Sequence, residues 1–200
     1  MRVSKYEQRS DEWFAERLGV PSASNFHRII TPTGKPSSQV DSYINELVAE
    51  RITGQKTFVK VTDAMQRGVE LEAEARDYFE FISGIDSKEI GFCKHDTLEV
   101  GCSPDGIVED ENAVLEIKCP VQTTMVQYLR DDVLPAKYIP QVQGQLWITG
   151  CSHAYFFGYH PDMKSLIVRV ERDEKYIKAL ADLAEKASEQ IAILTEDFKR

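Results

Sequence analysis

The chain has 200 residues, with 33 acidic and 24 basic side chains and a net charge of −9, enough for one domain that buries roughly 70% of its unfolded surface. No apolar run approaches the roughly 20 residues of a membrane span, and Cys93, Cys102, Cys119 and Cys151 form no C-x-x-C pair. With no secretory leader, these features predict a cytoplasmic protein with reduced thiols.

In chain order, 22–30 reads as a short helix and 37–53 as a longer one, with Ser37 or Ser38 as N-cap and Gly54 just past its end. Val40, Tyr43, Ile44, Leu47 and Val48 give that helix its apolar face. A third helix is expected over 62–83, closed by Gly84. Strands follow at 88–94, 98–102, 105–109 and 113–119, then helices at 122–131 and 136–149 and a late hairpin from 155–159 and 166–170. From Asp173 onward, Ile177, Leu180, Ala184, Ala187, Ile191 and Leu194 line one side of an amphipathic helix. Helices before, between and after a mixed β-sheet predict a single α/β domain over 1–200, with no repeats and no linker.

The chemistry concentrates at the fourth strand. Side chains alternate along a strand, so in Val114-Leu115-Glu116-Ile117-Lys118-Cys119 the two charges share one face, while Leu115, Ile117 and Cys119 share the other. Asp105, in Ser103-Pro104-Asp105-Gly106, lies one short hairpin upstream, with Glu109-Asp110-Glu111-Asn112 as the polar turn, so the hairpin can set it beside Glu116. An E-x-K in a strand is ordinarily an exposed cross-strand pair. Here the apolar flanks of Glu116 and the nearby Pro-Asp-Gly argue for buried charges that need partners. Mg²⁺ is the natural partner of two carboxylates, because it keeps several waters and binds through one or two carboxylates plus a substrate phosphate. Lys118 can then hold or help deprotonate an attacking water and offset transition-state charge.

These segments resemble the P-D…E-x-K nucleases, and within them the phage-type, lambda exonuclease-like (YqaJ-like) 5′→3′ exonucleases. The likeness runs through Trp13 to Ser24, Gly68 to Arg76, Cys102 to Gly106, Leu115 to Pro120 and Tyr138 to Trp147, five segments in the family's order. It implies a restriction-endonuclease-like core and a metal-dependent exonuclease that digests the 5′-phosphorylated strand of linear duplex DNA to mononucleotides. It also implies a ring-shaped homotrimer around DNA and a single-strand-annealing recombinase as partner. The cofactor would be two Mg²⁺ ions, for which Mn²⁺ can substitute, with Asp105 bridging them and Glu116 and the Ile117 carbonyl binding one.

The resemblance adds Glu72 to the metal centre, although Arg76 at i+4 could equally pair with it on a helix surface. It gives Arg17 and Ser24 a terminal 5′-phosphate, with Ser103 adding a hydroxyl; Ser24 alone would read as a helix cap. Gln141, supported by Tyr138, is matched to a contact with the scissile phosphate or its water, where an internal hydrogen bond would serve as well. Met65 aligns with a wedge between end base pairs, otherwise a core residue, and Lys35 could touch DNA from a turn. The remaining alternatives are an endonuclease of the same superfamily and an inactive DNA-binding or assembly module; an iron–sulfur nuclease is disfavoured because the cysteines are not clustered. The acidic total weighs against duplex binding, but part of it sits in solvated helices and says little about the field in a cleft.

Overall fold

Residues 1–57 and 62–200 are described by the computed structural model, 63–65 as backbone only. The chain runs through β1 (Arg2–Val3), α1 (Asp11–Arg17), a 3-10 turn (Ala23–Arg28), α2 (Val40–Thr53), α3 (Asp63–Ser83), β2 (Cys93–Lys94) and β3 (Gly101–Cys102). It continues through β4 (Gly106–Val108), β5 (Ala113–Lys118), α4 (Gln122–Asp131), a second 3-10 turn (Ala136–Tyr138), α5 (Ile139–Thr149), β6 (His153–Gly158), β7 (Leu166–Glu171) and α6 (Glu174–Phe198).

The fold is the expected α/β one, with a mixed sheet flanked by helices. Four strands lie in the order β4-β5-β6-β7, with β5 and β6 parallel and the outer pairs antiparallel; β1-β2-β3 form a smaller antiparallel sheet. A parallel pair needs a crossover, and α4 and α5 supply it. The alternation read along β5 decides its two faces. Leu115, Ile117 and Cys119 pack with Ala75 and Phe79 of α3, whereas Val114 packs with Val142 and Leu146 of α5. Glu116, on the Val114 side, therefore faces α5. Outside that layer α6 lays Leu180, Ala184, Ala187 and Ile191 against Tyr43, Ile44, Leu47 and Val48 of α2.

Several local expectations are corrected. Helix α2 begins at Val40 rather than Ser37, because the Ser37 hydroxyl accepts from Gln39 N at 3.3 Å in a turn that precedes the helix. The 22–30 segment is a 3-10 turn with no side-chain cap, and Ser24 lies inside it. The strands expected at 88–94 and 98–102 shrink to residue pairs, since β2 meets only short partners and Lys88 makes an isolated bridge to Ile107. Helix 136–149 is broken into a 3-10 turn and α5, with Pro140 in the first turn of α5, where its missing N–H costs nothing. Helix α1 was not anticipated; Ser10 caps it by accepting from Trp13 N.

Helix α5 approaches the 3-10 turn closely. A Cβ on Gly144 would overlap the ring of Phe26, which is wholly buried. Gly144→Ala is accordingly expected to lower stability by about 1–3 kcal/mol, measured by urea unfolding; an unchanged midpoint would contradict this packing.

Candidate active site

Asp105 sits at the entry to β4, where its carboxylate reaches across the hairpin and accepts from the Ile117 N–H at 2.6 Å. Arg76, from α3, donates to the Asp105 carbonyl, so the residue is held at both its backbone and its side chain. The neighbouring glycine has a reason in space rather than in backbone angle: a Cβ on Gly106 would lie 2.9 Å from the Arg76 guanidinium.

Glu116 is 1% exposed. Its carboxylate accepts from Lys118 on one oxygen, together with Gln141 Nε2 at 2.5 Å, and from Gln145 Nε2 at 2.5 Å on the other. These are the partners that a buried charge requires. Residues 141 and 145 are four apart and therefore share one face of α5, whereas Gln143 points away, bonding the Glu171 carbonyl and the Asp173 N–H to fix α5 against the β7–α6 junction. Lys118 lies 5.3 Å from the Tyr138 ring centroid, and Tyr138 in turn accepts from the Tyr128 hydroxyl at 3.2 Å.

Burial and the Glu116 charge, with Glu72 adding to them, push the Asp105 carboxyl well above the usual range despite Lys118 and the Ile117 N–H. Burial acts to discharge Lys118, but Glu116 and Asp105 outweigh it and its pKa is raised, so it stays an ammonium.

Glu72 comes from α3, across the sheet from α5, and lines the same cavities as Asp105 and Lys118. The i, i+4 pairing with Arg76 is present at 3.6 Å, but both side chains are largely covered rather than on the surface, and Arg76 also donates to the Asp105 carbonyl. A second guanidinium, that of Arg9, also binds Glu72.

Arg17 lies over the ring of Trp13, 4.1 Å from its centroid, with Phe92 at 5.3 Å, and donates to the Ser103 hydroxyl at 2.6 Å. Burial lowers its pKa to about 10, leaving it charged at neutral pH. The chain beyond it turns at Gly19, whose φ of +67° suits glycine and whose N–H and C=O are held by Glu50 and Arg51 of α2. That turn delivers Ser24 to a cavity of about 220 Å³ lined by Arg9, Arg17, Ser24, Glu72, Ser103, Asp105, Glu116, Lys118 and Gln141. A larger cavity of about 490 Å³ adjoins it through Glu72, Asp105 and Lys118 and is walled by Val69, Tyr128, Lys137 and Tyr138.

One expected contact is not brought here. Lys35 is exposed in a tight turn held by Thr31 and lines neither cavity. The Met65 side chain lies outside the described residues. Sequence reasoning missed Gln145, which the i, i+4 relation to Gln141 could have revealed. It also missed Arg9 and Gln8, whose place beside the site depends on a turn with no sequence signature.

Residues 12–152 match the YqaJ-like viral recombinase domain. The chain belongs to this family. The alkaline exonuclease LHK-Exo from Laribacter hongkongensis is 33% identical, with a TM-score of 0.84 over 94% of this chain and 95% of that one. Its structure in complex with dAMP gives 31% identity, the same TM-score and the same coverage. A phage-related exonuclease from Haemophilus somnus 129PT, 17% identical over 90% of this chain and 96% of that one with a TM-score of 0.71, shares the fold. No curated protein matches significantly. This YqaJ-like protein is thus a phage-type exonuclease with the restriction-endonuclease-like architecture of its neighbours.

An acid whose folded pKa lies above its unfolded value weakens the fold once ionised; the penalty is absent below the unfolded pKa and complete above the folded one. Asp105→Asn removes the charge and keeps an oxygen for the Ile117 N–H. In EDTA above that range, its melting temperature is expected to rise by about 2–4 °C, as for a gain on the order of 1 kcal/mol. A fall in differential scanning fluorimetry would show that the ionised carboxylate stabilises the fold.

Proposed function

We propose that this exonuclease digests the 5′-phosphorylated strand of linear double-stranded DNA in the 5′→3′ direction, using Mg²⁺ and releasing mononucleotides. The observation that carries the reading is the shared cavity: a guanidinium and two serine hydroxyls suited to a terminal phosphate open onto the same space as Asp105, Glu116 and Lys118.

Asp105, Glu116, the Ile117 carbonyl and Glu72 would hold the cation. Among the described residues no group of three His, Cys, Asp or Glu side chains is arranged to hold a metal ion, so the reading rests on the chemistry of these oxygen donors, of which Mg²⁺ needs only one or two carboxylates beside water and phosphate. Burial and two neighbouring carboxylates push Asp105 toward its neutral form, and a divalent ion held there would let it ionise. When bound, the ion makes water a nucleophile at neutral pH and polarises the phosphate. Lys118, kept as an ammonium, donates to the attacking water and offsets charge on the transition state. Gln141 and Gln145 keep the Glu116 carboxylate aimed, and Arg17 with Ser24 and Ser103 seats the 5′-phosphate so that the next phosphodiester meets the carboxylates. The relative LHK-Exo is known with dAMP, a nucleotide of the kind this reading makes the product.

The same reading makes the protein a trimer that encircles duplex and leaves a 3′-ended strand for an annealing recombinase. The exposed Tyr78, Phe81 and Ile82 of α3 are an apolar surface consistent with assembly. Light scattering at micromolar concentration is expected to give three chains, and a monomeric mass would exclude the ring.

The decisive assay follows degradation of linear duplex with a 5′-phosphate on one strand and a 5′-hydroxyl on the other, beside closed circles, in Mg²⁺ and in EDTA. Loss of the phosphorylated strand alone, only in Mg²⁺, is expected, with Lys118→Ala inactive and Arg17→Lys losing roughly tenfold of the preference for phosphorylated ends. Cut circles would identify an endonuclease, and intact DNA throughout would identify a binding module.

A further inference from the structure

Arg9 stands where a glycine would be expected. Glu7 to Ser10 form a turn closed by Ser10 N to the Glu7 carbonyl at 3.2 Å, and Arg9, its third residue, has φ +70°. That position ordinarily takes glycine, because a Cβ there is strained. The turn is held against the site all the same: the Gln8 amide donates to the carbonyls of Ile90 and Pro104, at 2.8 Å each, and Pro104 immediately precedes Asp105. The strained residue thereby projects its guanidinium onto Glu72, in the cavity that also holds Arg17 and Ser24.

We propose that Arg9 is a DNA-phosphate-binding residue of the active site, held on Glu72 in the DNA-free chain and released to the substrate backbone when a divalent cation takes that carboxylate. The proposal rests on the reading that Glu72 stands at the cation site. A divalent ion on Glu72 draws charge from the carboxylate and sets a second positive charge beside the guanidinium, which weakens its hold on Glu72. Of the two arginines on Glu72, Arg76 is anchored by the Asp105 carbonyl and by Glu89 at 3.1 Å. Arg9 is bound, among the described residues, to Glu72 alone, and its side chain is 43% exposed. It is therefore the cation free to leave. Its new surroundings are a cavity already furnished for phosphate, where a planar guanidinium makes paired hydrogen bonds to phosphate oxygens.

Glycine at position 9 relieves the strain while removing the side chain, so stability and function separate. Binding of a 5′-phosphorylated duplex is measured by fluorescence anisotropy over a range of KCl, with Ca²⁺ replacing Mg²⁺ and the substrate checked as intact. With Ca²⁺, Arg9→Gly and Arg9→Ala are expected to bind roughly tenfold more weakly, with the salt slope reduced by about one phosphate contact. Arg9→Lys should keep the slope. In EDTA, where Arg9 stays on Glu72, parent and glycine variant should bind alike, and the glycine variant should melt at or above the parent temperature. Equal affinity and slope with Ca²⁺, or a loss matched by a lower melting temperature, would overturn the proposal and make Arg9 part of the scaffold. A parent that neither binds nor degrades duplex would overturn the functional reading itself, whereas a parent that degrades duplex beside an indistinguishable glycine variant would overturn the role of Arg9 alone.

Discussion

A carboxylate buried in the middle of a sheet is the constraint on which the site depends. Moving an ion of that size out of water costs several kcal/mol even after relaxation, and Glu116 meets the cost with three donors drawn from two elements. Lys118 is available because it is two residues along the same strand. Gln141 and Gln145 are available because they are one helical turn apart and α5 is rotated to present them. That rotation is fixed elsewhere, by Gly144 against Phe26 and by Gln143 at the β7–α6 junction. A slip of β5 by one residue would turn Glu116 into the apolar contact with α3 and put Leu115 and Ile117 against the glutamines. Strand register and site geometry are thus enforced by the same side chains.

Around that fixed carboxylate the protein assembles charge that does not stabilise the isolated chain. Asp105 is pushed toward its neutral form by burial and by Glu116, and Glu72 needs two guanidinium groups beside it. Such arrangements persist where the surroundings over-determine them. Here Arg76 and the Ile117 N–H hold Asp105, and Gln8 holds the turn that carries Arg9. The cations of the chain stand against carboxylates that a divalent ion would otherwise neutralise, which is the condition expected of a site shaped for a ligand rather than for its own stability.

Periodicity made much of this legible. The two-residue alternation of 114–119 correctly assigned Leu115, Ile117 and Cys119 to one core layer and the charges to the opposite face, and the helical spacing from Ile177 to Ile191 gave the buried side of α6. Resemblance supplied Glu72 and Arg17, which lie far from β5 in sequence and which no local pattern joins to it. Periodicity did not help where structure is short or set by tertiary contact. Residues 93–94 and 101–102 pair over only two positions, and α1 is a seven-residue helix with Trp13 as its single buried side chain. The Q-x-Q pattern drew attention to Gln143, while the helical period links Gln141 to Gln145. Arg9 was invisible because nothing in a sequence announces that a non-glycine residue will occupy a left-handed position.

The acidic total is reconciled with a polyanionic substrate by location. The cavity walls carry Arg9, Arg17, Lys118 and Lys137 against Glu72, Asp105 and Glu116, so the local count of four cations to three carboxylates differs in sign from the net −9 of the chain. Exposed acids along α6, such as Asp182 and Glu196, belong to a solvated face, where salt screens them. Low-dielectric walls do the opposite and concentrate the field of the charges they enclose. Every divalent ion held by the carboxylates would shift that local balance by a further two charges toward the substrate. On the proposed reading, a cation held there for the hydrolytic chemistry would also make the cleft more attractive to DNA, so substrate affinity and catalytic competence would arise together on a protein of net negative charge.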